Sequence, residues 1–335
     1  MGLRESKKAA FQLNDIGTFI HYILEMFMKD ITTDGKLNLT LTDEEIDAIL
    51  QKNVQNYLFE LLGEDYAISN RTKHLFIRLN KLSFMIAKNL INEFKASDFY
   101  PTYFELKVGM GDEGIKALEF ELKDGSIVTL RGIADRVDTY KKDGNVYIRV
   151  VDYKTGSKEF SFDDLKEGLN TQLLIYLFSI CRAQNDEIKK AFGCENGGEL
   201  LPAGIQYLSS NAPIVSVDKF CDGNSIEELI QNEFSRSGLL TNNPEIIQAI
   251  NHNLDPKIVS KFKTNDEGEM IGKGLVGNDG FEEIYDMLSE TIVRVAESMR
   301  DGKANAIPLR KGETAPCRYC KMKAICRASV CKSKI

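Results

Sequence analysis

The stretch Gly132 to Lys154, GIADRVDTYKKDGNVYIRVVDYK, constrains this chain more than any other: it predicts a β-hairpin. Asp143-Gly144 separates two alternating runs rich in β-branched residues, and Asp-Gly supplies the positive φ angles of a two-residue hairpin turn. Side chains on a strand alternate faces, so Asp152 and Lys154 share one face of the second strand while Tyr153 points away. Asp135 lies on the first strand at the end remote from the turn, where pairing can bring it beside Asp152. Asp138 is the alternative first acid; three residues further on, it faces the other side.

Two carboxylates and one ammonium at one spot suit phosphodiester hydrolysis. Mg²⁺ prefers carboxylate oxygens, keeps several waters and accepts phosphate oxygen as a further ligand. Such ions polarise the phosphate and supply a bound hydroxide. A lysine two residues after a metal-binding carboxylate can orient the attacking water and offset charge on the transition state. The plainer alternative is a surface Asp–Lys pair, since Asp-x-Lys recurs by chance; Asp135 and the motifs below argue against it.

A chain of 335 residues can bury a sizeable core as one large or two ordinary domains. No window approaches the roughly 18 uninterrupted apolar residues of a membrane span, and MGLRESKKAAF has no signal-peptide apolar core. The net charge of −7 is unfavourable for contact with phosphates, but its distribution matters more. From Lys303 to Ile335, nine Lys/Arg stand against one acid, Glu313, so this end predicts a basic surface or a solvated tail. Four of the seven cysteines crowd the same end as Cys317-x2-Cys320-x5-Cys326-x4-Cys331. That spacing favours a metal over disulfides: it suits Zn²⁺, slightly favoured on general grounds, or an iron–sulfur cluster. Cys181, Cys194 and Cys221 lack ligand spacing and read as free thiols.

Helical periodicity predicts a first helix over 14–30, with Ile16, Phe19, Ile20, Ile23, Leu24 and Phe27 on one face. His21 and Glu25 are i,i+4 neighbours beside that stripe. A second helix covers 42–62, opened by a Thr42/Glu45 capping box, and a third runs from about Arg71 to Phe94. From Tyr100 the period changes to two, predicting strands at Tyr103–Val108, Ala117–Leu122 and Ile127–Leu130. Gly109, Gly111 and Gly114 match G-x-G-x-x-G, but a dinucleotide fingerprint must open a helix and no helix is predicted there. No G-x-x-x-x-G-K-[ST] occurs, so no nucleotide site is recognisable. Beyond a polar loop, Thr155–Asp163, a single helix is expected from Asp164 to Ala183, carrying Gln172 and Tyr176 on one face. Pro202–Ser210 reads as a core strand, 211–280 as polar with a helix near Ile226–Phe234 and a loop-rich stretch from Asn251, and 281–300 as a long helix. His74 and His252 read as exposed.

GTFIHYILE, GIADRVD, VVDYKTG with its downstream Q-x-x-x-Y, PAGIQYLSS, SRSGLL and TAPCRYCKMKAIC together resemble the PD-(D/E)XK nucleases of the RecB type. The resemblance is nearest to the AddB-type nuclease domains of bacterial AddAB helicase–nucleases, and it runs along nearly the whole chain. It implies an α/β fold: a restriction-endonuclease-like mixed central sheet flanked by helices, with a helical N-terminal part and a C-terminal Cys-rich segment. One domain over 1–335 is expected, comprising helical entry (1–98), catalytic core (99–210), insertion and helix (211–300), and basic Cys-rich segment (301–335).

The implied function is a Mg²⁺- or Mn²⁺-dependent DNA exonuclease that processes double-strand ends for recombinational repair in the bacterial cytoplasm, with DNA and a helicase of AddA type as partners. By resemblance, His21, Asp135 and Asp152 bind the metal and Lys154 supports the water or transition state. Gln172 and Tyr176 lie on the substrate side, Glu105 matches the acid of the first core strand, and Glu25 is a supporting acceptor for His21. The family also holds a [4Fe–4S] cluster on three cysteines in the Cys317, Cys320, Cys326 pattern plus one upstream of the first helix. No cysteine precedes Cys181 here, so either the chain starts beyond that ligand, the reading preferred, or Cys331 substitutes. The competing readings are a catalytically silent DNA-binding or docking module and a stand-alone RecB-like nuclease.

Overall fold

The computed structural model describes residues 13–62, 70–111, 114–154, 159–183, 185–195, 197–209, 229–231, 233–259, 262–267, 270–277, 279–303, 321–322 and 325. The chain enters through helix α1 (Leu13–Asp30), a minimal hairpin of β1 (Thr32–Thr33) and β2 (Lys36–Leu37), and helices α2 (Asp43–Leu62) and α3 (Asn70–Lys95). The capping box that opens α2 is in place. Thr42 N–H donates to Glu45 Oε2 at 2.8 Å, and Glu45 N–H donates to Thr42 Oγ1 at 3.3 Å, satisfying two backbone donors that a helix start leaves over. The three helices bury Phe19, Ile23, Leu24, Phe27, Leu50, Ile86 and Leu90 against one another and against Val151, Tyr153 and Leu208 of the sheet.

The sheet begins with β3 (Tyr100–Val108). A detached two-stranded hairpin, β4 (Glu119–Glu121) with β5 (Ile127–Thr129), precedes the long strands β6 (Gly132–Lys142) and β7 (Asn145–Lys154). Asp143 (φ 51°) and Gly144 (φ 78°) form the turn between them, both in the left-handed region that a tight hairpin requires. Next come helices α4 (Phe162–Lys166), α5 (Gln172–Cys181) and α6 (Asp186–Phe192), then strands β8 (Leu200–Ser209) and β9 (Arg236–Thr241). Helix α7 (Pro244–Ile250), short strands β10 (Lys263–Thr264), β11 (Met270–Ile271) and β12 (Leu275–Val276), and helix α8 (Gly280–Arg300) complete the described elements.

Six strands lie in the order β12-β9-β8-β7-β6-β3. The β7–β8 and β9–β12 pairs are parallel and the others antiparallel, which makes the sheet mixed. Val137, Ile148 and Val150 meet α5 on one face, and α8 covers that layer through Ile284 and Leu288. Because α5 lies between sheet and helix, its residues from Leu173 to Ile180 are all buried, as an apolar-all-round helix must be.

Four expectations from the sequence need correcting. The single helix from Asp164 to Ala183 is two helices, because Gly168 (φ 77°) and Asn170 (φ 55°) turn the chain left-handed between them. The strands expected at Ala117–Leu122 and Ile127–Leu130 are shorter and pair only with each other. The SRSGLL segment forms a central-sheet strand, β9, where no element was expected. Nor was α7, although Asn243 caps it by accepting from Glu245 N–H at 3.0 Å and Pro244 opens it. His252 is exposed as expected, but its Nε2 lies 3.0 Å from Asp98 Oδ1. The described glycines of the G-x-G-x-x-G match sit at a turn that returns Ile115 N–H to Lys107 O at 3.0 Å. Cys181 and Cys194 are free thiols. Cys221, Cys317, Cys320, Cys326 and Cys331 lie outside the described residues, as do residues 226–228 and 232 of the expected Ile226–Phe234 helix and residues 155–158 of the polar loop.

Candidate active site

Pairing of β6 with β7 runs from Lys142↔Asn145 to Arg136↔Val151. Continued by one residue, that register sets Asp135 opposite Asp152, and directly opposed side chains of an antiparallel pair share a face. On its other edge, β6 pairs with β3 through Phe104↔Arg136 and Leu106↔Ala134, which places Glu105 level with Asp135. Glu105 has φ 50°, an uncommon backbone for a non-glycine inside a strand and one that clusters at functional sites.

The backbone of Tyr153 organises these groups. Its N–H donates to Asp135 Oδ2 at 2.9 Å, and its carbonyl oxygen lies 2.9 Å from His21 Nε2. A carbonyl only accepts, so Nε2 carries the proton and Nδ1 faces Asp135 Oδ1 at 3.5 Å. One ligand atom each from His21, Glu105 and Asp135 lies within 4.8 Å of the others. Asp152 stands beside this compact trio rather than in it, its carboxylate 2.7 Å from the Lys154 ammonium. Glu25 does not support His21: it pairs with Lys29 at 2.6 Å, and both ring nitrogens of His21 face other groups.

The electrostatics favour a cation. Burial, then the charge of Asp135, pushes the Asp152 carboxyl up to about 6, against the pull of Lys154. Burial followed by Asp135 also raises Glu105. For His21, burial alone would lower the pKa, but the hydrogen bond and charge of Asp135 prevail and raise it. Three carboxylates and one ammonium leave an excess of negative charge, and the burial of Asp152 keeps water from screening it. A hard divalent cation with metal–oxygen distances of about 2.0–2.1 Å suits this oxygen-rich donor set. His21, Glu105 and Asp135 would hold it, with Asp152 adjacent.

Gln172 and Tyr176 also meet. Gln172 Nε2 donates to Tyr176 Oη at 3.0 Å, and Ile133 N–H donates to the same oxygen at 3.1 Å. The hydroxyl proton is thereby left to donate elsewhere. Gly132 makes this arrangement fit: a Cβ there would lie 2.1 Å from Tyr176 Oη and 2.7 Å from the ring. Gly132→Ala is therefore expected to expel Tyr176 from its seat, lowering stability by about 1–3 kcal/mol. Combining it with Tyr176→Ala restores the space, so in a double-mutant cycle the pair should be no worse than Tyr176→Ala alone; additive losses would refute this.

The sequence reading missed the support behind the site. Arg136, Asp138 and Arg149 are fully buried on the opposite face of β6 and β7. The Asp138 carboxylate lies 2.9 Å from Arg136 and 2.8 Å from Arg149. Glu93 of α3 lies 2.9 Å from Arg149 and also pairs with Arg136 and Arg236. Arg136 further donates to Tyr153 Oη at 3.1 Å, tying the network to the residue whose backbone holds Asp135 and His21. A usable signal was present: Arg136 and Asp138 put two charges on one face of a strand otherwise fit for burial. Asp138 thus takes no part in the candidate metal site.

The sequence model of the PD-(D/E)XK nuclease superfamily matches residues 1–327. The chain is 30% identical over 335 residues to the B subunit of the ATP-dependent helicase/deoxyribonuclease of Clostridium botulinum (strain Loch Maree / Type A3), covering 97% of the chain and 28% of that protein. The protein of the same name from Clostridium acetobutylicum is 27% identical over 334 residues, and that of Thermoanaerobacter sp. (strain X514) 28% over 327, with the same coverages. The chain thus spans about 28% of the length of these relatives.

Proposed function

We propose, from the premise that this chain belongs to the PD-(D/E)XK nuclease superfamily, that it is a divalent-metal-dependent deoxyribonuclease domain. It hydrolyses phosphodiester bonds as the nuclease module of an AddAB-type helicase–nuclease, acting as an exonuclease on DNA ends in recombinational repair. The carrying observation is the convergence of His21, Glu105 and Asp135 on one locus, with the Asp152–Lys154 pair beside it. The relatives' name, the B subunit of a helicase/deoxyribonuclease, supports DNA as the substrate and a helicase as the partner. Among the described residues no helix is long and apolar enough to cross a membrane. The proposed place of action is the bacterial cytoplasm, where the DNA is.

Bound there, Mg²⁺ or Mn²⁺ would polarise the scissile phosphate and lower the pKa of a water. The remaining work falls to the chain. Tyr153 N–H fixes Asp135, and the Tyr153 carbonyl sets the His21 tautomer so that Nδ1 faces the metal locus. Lys154, held by Asp152, orients the attacking water and offsets negative charge growing on the phosphate oxygens. The Gln172 amide and the Tyr176 hydroxyl face the substrate as hydrogen-bond donors. The cysteine set Cys317, Cys320, Cys326 and Cys331 belongs to the same proposal as ligands of a structural [4Fe–4S] cluster, with iron and sulfide in anaerobically purified protein as its test and zinc alone as the overturning result.

The deciding experiment is a Mg²⁺ and Mn²⁺ titration with linear DNA after EDTA treatment. Cleavage should be undetectable in EDTA and return saturably with either ion. DNA binding with no cleavage at any metal concentration would instead favour a silent binding module.

A further inference from the structure

On the sheet face away from Asp135 and Asp152, a cavity of about 220 Å³ opens between the end of α3, the start of β9 and the loop after α7. Arg236, Lys257, Asp255, Asn92, Asn251 and Asn253 line it, with Glu93 at its base. Beneath it lies the buried network of three guanidinium groups, Arg136, Arg149 and Arg236, against two carboxylates, Glu93 and Asp138. All five side chains are at most 1% exposed. Among the described residues one positive charge is therefore in excess where water cannot screen it, and a buried charge needs a counter-charge.

We propose that this cavity binds a tetrahedral oxyanion of the phosphate class. The Nε of Arg236 is buried with no hydrogen-bond partner among the described residues, although the other guanidinium nitrogens donate to Asn89 Oδ1, Phe234 O and Glu93 Oε2. Lys257 lines the same cavity and pairs with no carboxylate among the described residues. Among the described residues Asp255 is the one other acid in the lining besides Glu93, and its Oδ1 already accepts Lys257 N–H at 2.9 Å. Burial lowers the Arg236 pKa and the neighbouring Arg136 and Arg149 lower it further, against the pull of Glu93. Donors at a buried guanidinium, an ammonium and several amides suit an acceptor with oxygens on all sides. A metal cation would be repelled by Arg236 and Lys257.

The test is thermal unfolding of the whole chain in EDTA, so that the catalytic carboxylates recruit no metal. Inorganic phosphate is titrated against sodium chloride of equal ionic strength, with a short duplex oligonucleotide in parallel. A saturable rise in Tm is expected, with apparent affinity about tenfold weaker in Lys257→Gln, the scale of one charge-assisted contact. Asn253→Ala, at an exposed rim position, should weaken it less and keeps the test open should Lys257→Gln fold poorly. A Lys257-dependent rise with phosphate identifies a free-anion site; such a rise with the oligonucleotide alone identifies a DNA backbone contact. No rise beyond the salt control, or a rise that neither substitution reduces, overturns the proposal.

Discussion

Asp152→Ala and Lys154→Ala should each lower Mg²⁺-dependent cleavage of linear DNA by about 10²–10³-fold or more, the scale of losing one preorganised charge at a transition state. Neither change should unfold the protein. Asp152 is 1% exposed, and its carboxyl is raised by burial and by Asp135 to about 6, from a usual value near 4. A raised carboxyl pKa means that ionisation opposes folding. In the metal-free protein stability therefore falls as pH rises from about 4 through 6, and the neutral variant Asp152→Asn removes that loss above pH 6. The joint expectation is an inactive Asp152→Asn protein whose Tm in EDTA at pH 7.5 equals or exceeds that of the parent. Unchanged cleavage in clean Asp152→Ala or Lys154→Ala protein would defeat the assignment.

The second large effect concerns stability. Asp138→Ala should cost about 3–5 kcal/mol, because it leaves Arg136 and Arg149 buried beside a single remaining carboxylate, Glu93. Against a typical total of about 5–15 kcal/mol, that brings the domain close to unfolding. Arg236→Met makes a sharp contrast, since it leaves two guanidinium groups facing two carboxylates. Its cost should be clearly smaller although it removes three hydrogen bonds, to Asn89, Phe234 and Glu93. Urea denaturation midpoints measure both; equal losses would show that charge balance does not govern this network.

The two effects are connected through Tyr153. Its hydroxyl is bound to Arg136 in the network, and its backbone bonds Asp135 and His21 on the site side. The Asp-Arg-x-Asp spelling of Asp135, Arg136 and Asp138 is therefore two instructions on one strand, one per face. Odd and even positions place Asp135 at the candidate metal locus and the Arg136–Asp138 pair in the interior.

Much of this was legible without coordinates. The Asp143-Gly144 turn set the hairpin register, and register alone brings Asp135 opposite Asp152, because both effects are local and follow from backbone geometry. The capping box of α2 and the three entry helices were legible for the same reason. The break between α4 and α5 was not, because an apolar run looks continuous until Gly168 and Asn170 adopt left-handed angles. Strand β9 was missed because its glycine and short polar residues have little intrinsic strand preference; pairing with β8 supplies what the sequence lacks.

By itself, then, the sequence determined which side chains share a strand face, and with them the acids and the lysine of the candidate site. Only the tertiary structure decided that Glu105 rather than Asp152 completes the tight trio with His21 and Asp135, and that Glu25 turns to Lys29. It also decided that Arg136, Arg149, Arg236, Glu93 and Asp138 form one buried network. The physical reason is range: alternation and turn chemistry act over a few residues, whereas charge pairing and burial depend on which distant segments the packed core brings together.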